Sequence, residues 1–327
     1  MKNENIKKII SIISLGLIIY IFMFMKIPYY IDTPGNIENV SKYISISNNY
    51  KPNSTINTTY VTEYTNPNLA MFLMSFLNKD WDAVKISNEL YSGQSETDAN
   101  YEGKAELEES RDYAIMSAYK LANKTYAINN FNLYVTYISK DAKTDLRVKD
   151  DIKTVNGIKL TSLNSLKEII KNCNVGDKVN ITVNDNQSRY AYVNSNSDGK
   201  YIGILANEDY DLDEDPKIVY NSIDNSYGPS AGFMMSLYIY SSITNFSLPS
   251  NTIIAGTGTI DSSGNVGIIG GVKYKLIGAA QNGANIFFVP SDNYDEALSI
   301  KNEYHYNIQL VKVNTLSDAI KYLESKR

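Results

Sequence analysis

Gly228, Pro229, Ser230, Ala231 and Gly232 form a G-x-S-x-G run just before an apolar helical pattern. A serine held on such a turn is a candidate nucleophile, although the five residues alone are a weak signal. Its hydroxyl attacks a carbonyl only if a neighbouring base removes the proton. The chain has one histidine, His305. Ser230, Asp292 and His305 do follow the chain order of an α/β-hydrolase triad, so that reading stays open. Against it, the sequence before Ser230 lacks the run of parallel strands such a fold needs, and His305 sits in "EYHYNIQL" at a strand edge. The other base is lysine, which accepts a proton when an apolar site lowers its pKa toward the working pH. "IIGGVKYKLIGAA", residues 268–280, puts Lys273 and Lys275 just after a glycine pair and at the start of an apolar helix. Two residues apart on a helix, they point in different directions, so only one can face Ser230.

These groups need a scaffold. After the acidic run "DLDEDP" the pattern alternates strand and helix to the end, an α/β texture: "NIFFVP" and "NIQLVKV" read as buried strands, and "SDNYDEALSIKNEY" and "TLSDAIKYLESK" as capped helices. Upstream, "KAELEESRDYAIMSAYKLANK" spaces Ala114, Ala118 and Leu121 as one helix face, with acids early and lysines late. "TINTTYVTEYT" alternates as a strand does, and "NLAMFLMSFL" reads as a short apolar helix. A net charge of −5 with interspersed lysines offers no stripe for a phosphate backbone, so nucleic-acid binding is not expected. A single cysteine, Cys173, excludes an internal disulfide framework, and with one histidine no zinc-ligand set or other metal site is expected.

Residues 9–25, "IISIISLGLIIYIFMFM", form an uncharged run of membrane-spanning character, extendable to Tyr30 if Lys26 snorkels. Lys2, Lys7 and Lys8 precede it, which by the positive-inside rule places the amino terminus in the cytoplasm and the remainder outside. A cleaved signal peptide and a buried core helix are the alternatives. The first is disfavoured because "KIPYYIDTPG" lacks a small-x-small cleavage pattern, the second because the run is apolar on every face.

From Phe131, "NLYVTYI", "DDIKTVNG", "SLNSLKEIIKNC", "GDKVNITVND" and "RYAYVN" follow in the order strand, turn, helix, strand, strand. This stretch of about 75 residues resembles a PDZ domain, a resemblance that implies capture of an extended peptide along a sheet edge. It departs from the family near Asn132 to Val135, where a glycine-containing carboxylate-binding loop would lie.

"GPSAG" and "AGTGTIDSSGNVGIIGGVKYKLIGAAQNGANIFFVP" resemble the proteolytic domain of Lon-type serine proteases. There the corresponding stretches read G-P-S-A-G and T-G-x-I/V-x-x-x-G-x-V/L-x-x-I-G-G-L/V-K-x-K. The resemblance implies that Ser230 is the nucleophile, Lys275 the general base and Lys273 an outward-facing lysine. Thr257 would orient the catalytic amine; the oxyanion would be held by backbone N–H groups around Pro229, Ser230 and Ala231, with Pro229 itself unable to donate, and Gly228, Ala231 and Gly232 are the supporting residues of the motif. Thr259 stands where many members carry an acid. "ELEESRDYA" is similar to the helix that opens the Lon proteolytic domain, which makes the PDZ-like module an insertion.

Together, anchor, PDZ-like module and Ser-Lys domain resemble the membrane-anchored PDZ-containing proteases of Gram-positive bacteria, the SepM/YlbL type. The expected layout is a cytoplasmic tip and anchor at 1–27, a first protease part at 28–128, a PDZ-like module at 129–208 and a catalytic part at 209–327. The resemblance implies a single-pass endopeptidase acting outside the cell on peptides or membrane proteins, with a ring-forming homo-oligomer as one possible assembly. No G-x-x-x-x-G-K-S/T is present, so neither ATP nor another cofactor is expected. The rival reading is a membrane-tethered peptide-binding scaffold built on an inert protease fold.

Overall fold

The computed structural model describes residues 2–47, 50, 52–221 and 226–326, with side chains from residue 4. The Lys2 side chain, counted above among the lysines before the apolar run, lies outside the described residues. The chain opens with α1 (Lys2–Phe24), whose Glu4–Phe24 part contains an 18-residue window with a mean hydropathy of 2.1 that is wholly unburied. Its 21 residues span about 32 Å at 1.5 Å per residue, enough for a hydrocarbon core of about 30 Å. By length and composition it can cross a membrane, and a signal sequence would pass the same test.

β1 (Tyr29–Asn39), β2 (Ile44–Ile46), β3 (Thr55–Thr65), α2 (Leu69–Ser75), β4 (Asp82–Lys85), α3 (Ile86–Glu89) and the long α4 (Glu96–Leu121) follow. Ser95 caps α4 by accepting from the Asp98 amide, and Glu96 and Asp98 sit in the first turn where the helix dipole favours acids. β5 (Tyr126–Ile138) then leaves the body. Beyond it come β6 (Thr154–Val155), β7 (Ile158–Lys159), α5 (Leu163–Asn172), β8 (Lys178–Thr182), β9 (Ser188–Tyr192), β10 (Asn194–Asn196) and β11 (Gly199–Tyr201). β12 (Ile204–Glu214) returns antiparallel to β5. Within this excursion Ser162 and Ser165 form a reciprocal capping box on α5, which buries Leu166 and Ile170. With Leu133, Val135, Val179, Ile181 and Ala191 they make a core of their own. Residues 129 and 208 fall inside β5 and β12, so the two cores share one ladder, its register shifting between Leu205 and Ala206 and between Asp211 and Leu212.

The chain continues through β13 (Ile218–Tyr220), α6 (Gly232–Thr244), β14 (Ile253–Gly256), β15 (Thr259–Ile260), β16 (Val266–Gly267), α7 (Val272–Gln281), β17 (Ile286–Pro290), α8 (Tyr294–Glu303), β18 (Gln309–Val313) and α9 (Leu316–Glu324). The central sheet is mixed, in the order β18-β17-β14-β3-β1-β4. Its β3, β14, β17 and β18 are parallel neighbours, while β1 pairs antiparallel with β3 and β4. All five residues of β17 are buried, as a parallel strand covered on both faces requires. Phe288 joins Phe233, Met234, Leu237 and Leu323 on the face of α6 and α9. Its neighbour Phe287 points the other way, to Val272, Leu276, Ile277 and Ala297 on the face of α7 and α8.

Candidate active site

The loop before α6 owes its path to α4. The Gly228 amide donates to the Gly103 carbonyl at 2.7 Å, and the Ser110 hydroxyl donates to the Pro229 carbonyl at 3.3 Å. Gly228 has φ +81°, a conformation that side-chain-bearing residues rarely adopt. Gly232 is needed for closeness: a Cβ there would lie 2.7 Å from Ser110 Oγ and 2.9 Å from Ile260 Cγ2. Asp224 and Asn225, just upstream, lie outside the described residues.

Ser230 is half-buried, two residues before the first residue of α6. Its carbonyl accepts two hydrogen bonds from the turn after β14, one from the Gly258 amide at 2.9 Å and one from the Thr257 hydroxyl at 3.2 Å. The Phe233 amide returns to the Gly258 carbonyl at 3.1 Å, so the two segments are stitched reciprocally. Thr257 is fully buried. Its hydroxyl proton goes to the Ser230 backbone, which leaves only an acceptor lone pair for an amine. The Gly232 amide is engaged with the Pro229 carbonyl. By contrast, the N–H groups of Ser230 and Ala231 find no acceptor among the described residues. Two free amides ahead of a helix amino terminus are suited to receive a developing oxyanion.

Lys275 lies in the first turn of α7, only 5 % exposed. No carboxylate pairs with it among the described residues. Burial alone pulls its amine from 10.5 down to about 8. The helix that carries it is closely seated. Gly271 precedes it at φ +69°, and a Cβ on Gly278 would stand 2.5 Å from the Gly35 carbonyl oxygen of β1. Asn293 clamps the approach, accepting from the Ile269 amide at 2.9 Å and donating to the Ile269 carbonyl at 3.0 Å. Lys273, by contrast, pairs with Asp82 at 2.6 Å, and Tyr274 donates to the same carboxylate at 2.6 Å.

The structure therefore joins Gly228, Ser230, Ala231, Gly232 and Thr257 in one stitched unit and sets Lys275 on a separate helix. No hydrogen bond links Ser230 Oγ to Lys275 Nζ among the described residues. Catalytic hydrogen bonds of unliganded sites are commonly long and tighten with substrate. His305 is exposed at φ 54° in the turn after α8, and Asp292 is exposed beside Ser291. Neither makes a hydrogen bond to the Ser230 loop among the described residues. The motifs gave no role to Gly103, Ser110, Asn293 or Gly35. Ser110 lies within "ELEESRDYA", but its task depends on a loop more than a hundred residues away. Glu106, on the same face of α4, has its carboxyl pushed up to about 7 by burial and by Glu102 and Glu109.

Residues 217–325 match the Lon protease (S16) C-terminal proteolytic domain. The Lon protease of Malacoplasma penetrans is 40% identical over 91 residues, covering 28% of this chain and 11% of that protein. The Lon protease of Campylobacter jejuni is 36% identical over 96 residues, covering 29% of this chain and 12% of that protein. The chain thus spans about a ninth of the length of these curated relatives. The crystal structure of the PDZ domain of the SdrC-like protein from Listeria innocua aligns with 26% identity over 23% of this chain and 92% of that one, at a TM-score of 0.22. The fold is mixed α/β, and the Lon-type proteolytic domain at residues 217–325 supports a serine peptidase.

Proposed function

We propose that the chain is a single-pass, membrane-anchored, ATP-independent serine endopeptidase with Ser230 as nucleophile and Lys275 as general base. The observation that carries this reading is Lys275 itself, a buried amine with no paired carboxylate among the described residues, whose neutral form is accessible near neutral pH. Neutral Lys275 takes the Ser230 proton as the oxygen attacks the scissile carbonyl. The oxyanion settles on the Ser230 and Ala231 amides. Collapse of the tetrahedral adduct breaks the C–N bond, and the leaving amine takes the proton back from Lys275. Water then attacks the acyl-enzyme and passes a proton to Lys275; collapse of this second adduct breaks the bond to Ser230 Oγ, which takes that proton back from Lys275, and frees the acid product. Thr257 holds the nucleophile's backbone, and the remaining lone pair of its hydroxyl can accept from the amine and orient it.

α1 as the anchor puts the catalytic body outside the cell, and its substrates are then exported peptides or membrane proteins. The PDZ-like excursion between β5 and β12 would hold an extended part of the substrate. This assembly corresponds to the SepM/YlbL type. The test is cleavage of an unstructured protein by full-length enzyme in detergent without ATP. Ser230→Ala and Lys275→Ala abolish turnover, while Lys273→Ala and His305→Ala retain it. Loss on His305→Ala with retention on Lys275→Ala would replace this mechanism by the hydrolase triad. Turnover unchanged by Ser230→Ala would end it.

A further inference from the structure

α2 and the turn after it present an apolar surface to solvent. Leu73, Met74, Phe76 and Leu77 are 42, 55, 69 and 89 % exposed. The segment 66–79, "NPNLAMFLMSFLNK", holds no acid and ends in lysine. It is nevertheless a built element. Asn68 caps α2 by accepting from the Met71 amide at 2.8 Å, and Phe72 packs between Tyr29 and Phe76 with ring centroids 4.8 and 5.1 Å away. Beyond the turn, Tyr304 donates to Asp80 at 2.7 Å and Lys79 lies 3.7 Å over the Tyr304 ring. A contiguous apolar face on a firmly held element marks an interaction surface.

Position identifies the occupant. The Leu69 amide donates to the Met25 carbonyl at 3.0 Å, the Ile27 amide donates to the Pro67 carbonyl at 3.0 Å, and Lys26 and Asn68 form a β-bridge. The patch is thus fastened to the residues on which the apolar helix α1 ends. Its chemistry matches that level of a bilayer: Leu, Met and Phe outward, lysines at Lys26 and Lys79, and aromatic Tyr29 and Trp81 on either side.

We propose that α2 and its following turn form a second, shallow membrane contact, seated in the phospholipid interface where α1 leaves the bilayer. The inference rests on α1 spanning the membrane. A single helix leaves the body free to swivel about its tether, whereas two contacts fix which face of the protease looks along the membrane. The orientation favours cleavage of bonds held close to the lipid surface.

The chain has one tryptophan, Trp81, so Trp81→Phe with Leu77→Trp moves the only indole to the most exposed apolar position. The full chain carrying this pair is reconstituted into phosphatidylcholine–phosphatidylglycerol vesicles, with and without lipids brominated near the head group. The expected result is a blue-shifted emission roughly halved or more by the brominated lipid. Adding Met74→Ser and Phe76→Ser should lower the quenching and leave cleavage of a soluble peptide unchanged. Vesicle-bound, carbonate-resistant protein with a water-like, unquenched indole overturns the second contact and leaves the anchor standing. A blue-shifted but unquenched indole also overturns it, in favour of contact with a second copy. Protein that does not float with the vesicles overturns the anchor and this inference together.

Discussion

Titrating Lys275 separates the lysine mechanism from its rivals most directly. Burial lowers its amine from 10.5 to about 8, a penalty of roughly 3 kcal/mol on the ammonium form. At pH 7 about a tenth of the molecules then hold a neutral amine, against about three in ten thousand for an ordinary lysine, a gain of about 300-fold in available base. If Lys275 is the base, kcat/KM climbs almost tenfold from about pH 6 to about pH 7, bends near 8 and levels above it. Initial rates on a quenched fluorescent peptide below KM, at constant ionic strength, read this profile. Lys275→Ala removes the slope and lowers the rate by about a thousandfold or more. A profile that bends near the ordinary histidine value and disappears with His305→Ala would refute the reasoning, as would Lys275→Ala with the profile intact. The same shift has a stability counterpart. Because the folded-state pKa lies below the unfolded one, the unfolded chain binds more protons between about 8 and 10.5. Stability therefore rises with pH across that window, and this contribution is lost as pH falls through about 8. Lys275→Met abolishes the slope.

Three further outcomes follow from contacts around the site. Glu106 has a folded-state pKa raised from 4.5 to about 7, so its contribution is present below 4.5 and lost as pH rises through 7. Glu106→Gln should recover about 1–3 kcal/mol at pH 8 and nothing at pH 4, read by urea unfolding at both values. Thr257→Val removes the 3.2 Å bond to the Ser230 carbonyl and is expected to cost about 1 kcal/mol in stability, with kcat reduced about tenfold and KM little changed. Gly278→Ala places a methyl 2.5 Å from the Gly35 carbonyl oxygen, a backbone atom that cannot swing away, and should cost about 1–3 kcal/mol in thermal or urea unfolding.

The legible parts of the chain were those whose signal is local. The all-buried β17 and the capped start of α9 at Thr315 each show in a few neighbouring residues, whereas α4 buries every residue from Ala114 to Tyr119, more than the one face its spacing suggests. The strand at 55–65 was legible by its alternation, but its place was not. β3 lies between β14 and β1 in the central sheet, although it is built of Thr, Asn and Tyr. Its polar residues tolerate burial because their partners lie far along the chain. Asn57 Nδ2 donates to the Ile254 carbonyl at 2.9 Å, and Thr59 Oγ1 donates to the Gly256 carbonyl at 3.3 Å. Apolar periodicity carries no information about such partners. The Ser230–Lys275 pairing was suggested by motif order, while the supports from Gly103, Ser110 and Asn293 depend on tertiary approach alone.

The structural unit around Ser230 begins before residue 217. The Lon-type match starts at residue 217, yet a chain starting there would leave β14 without β3 and the Ser230 loop without Gly103 and Ser110. An unpaired β14 edge and a Ser230 loop with no backing helix are both costly, because buried backbone groups need partners. α4 supplies that backing and more. Ser110 bonds the Ser230 loop, while the adjacent Glu109 accepts from the Glu208 amide at 2.8 Å and Asp112 accepts from the Tyr210 amide at 2.9 Å. Residues one and two positions apart on one helix thus hold the Ser230 loop and the strand that returns from the second core. A 26-residue helix is stiff over that short a span, so the Ser230 loop and β12 share a single frame. The segments before the excursion are for this reason part of the scaffold around Ser230: they pair with β14 and hold the loop that carries that residue.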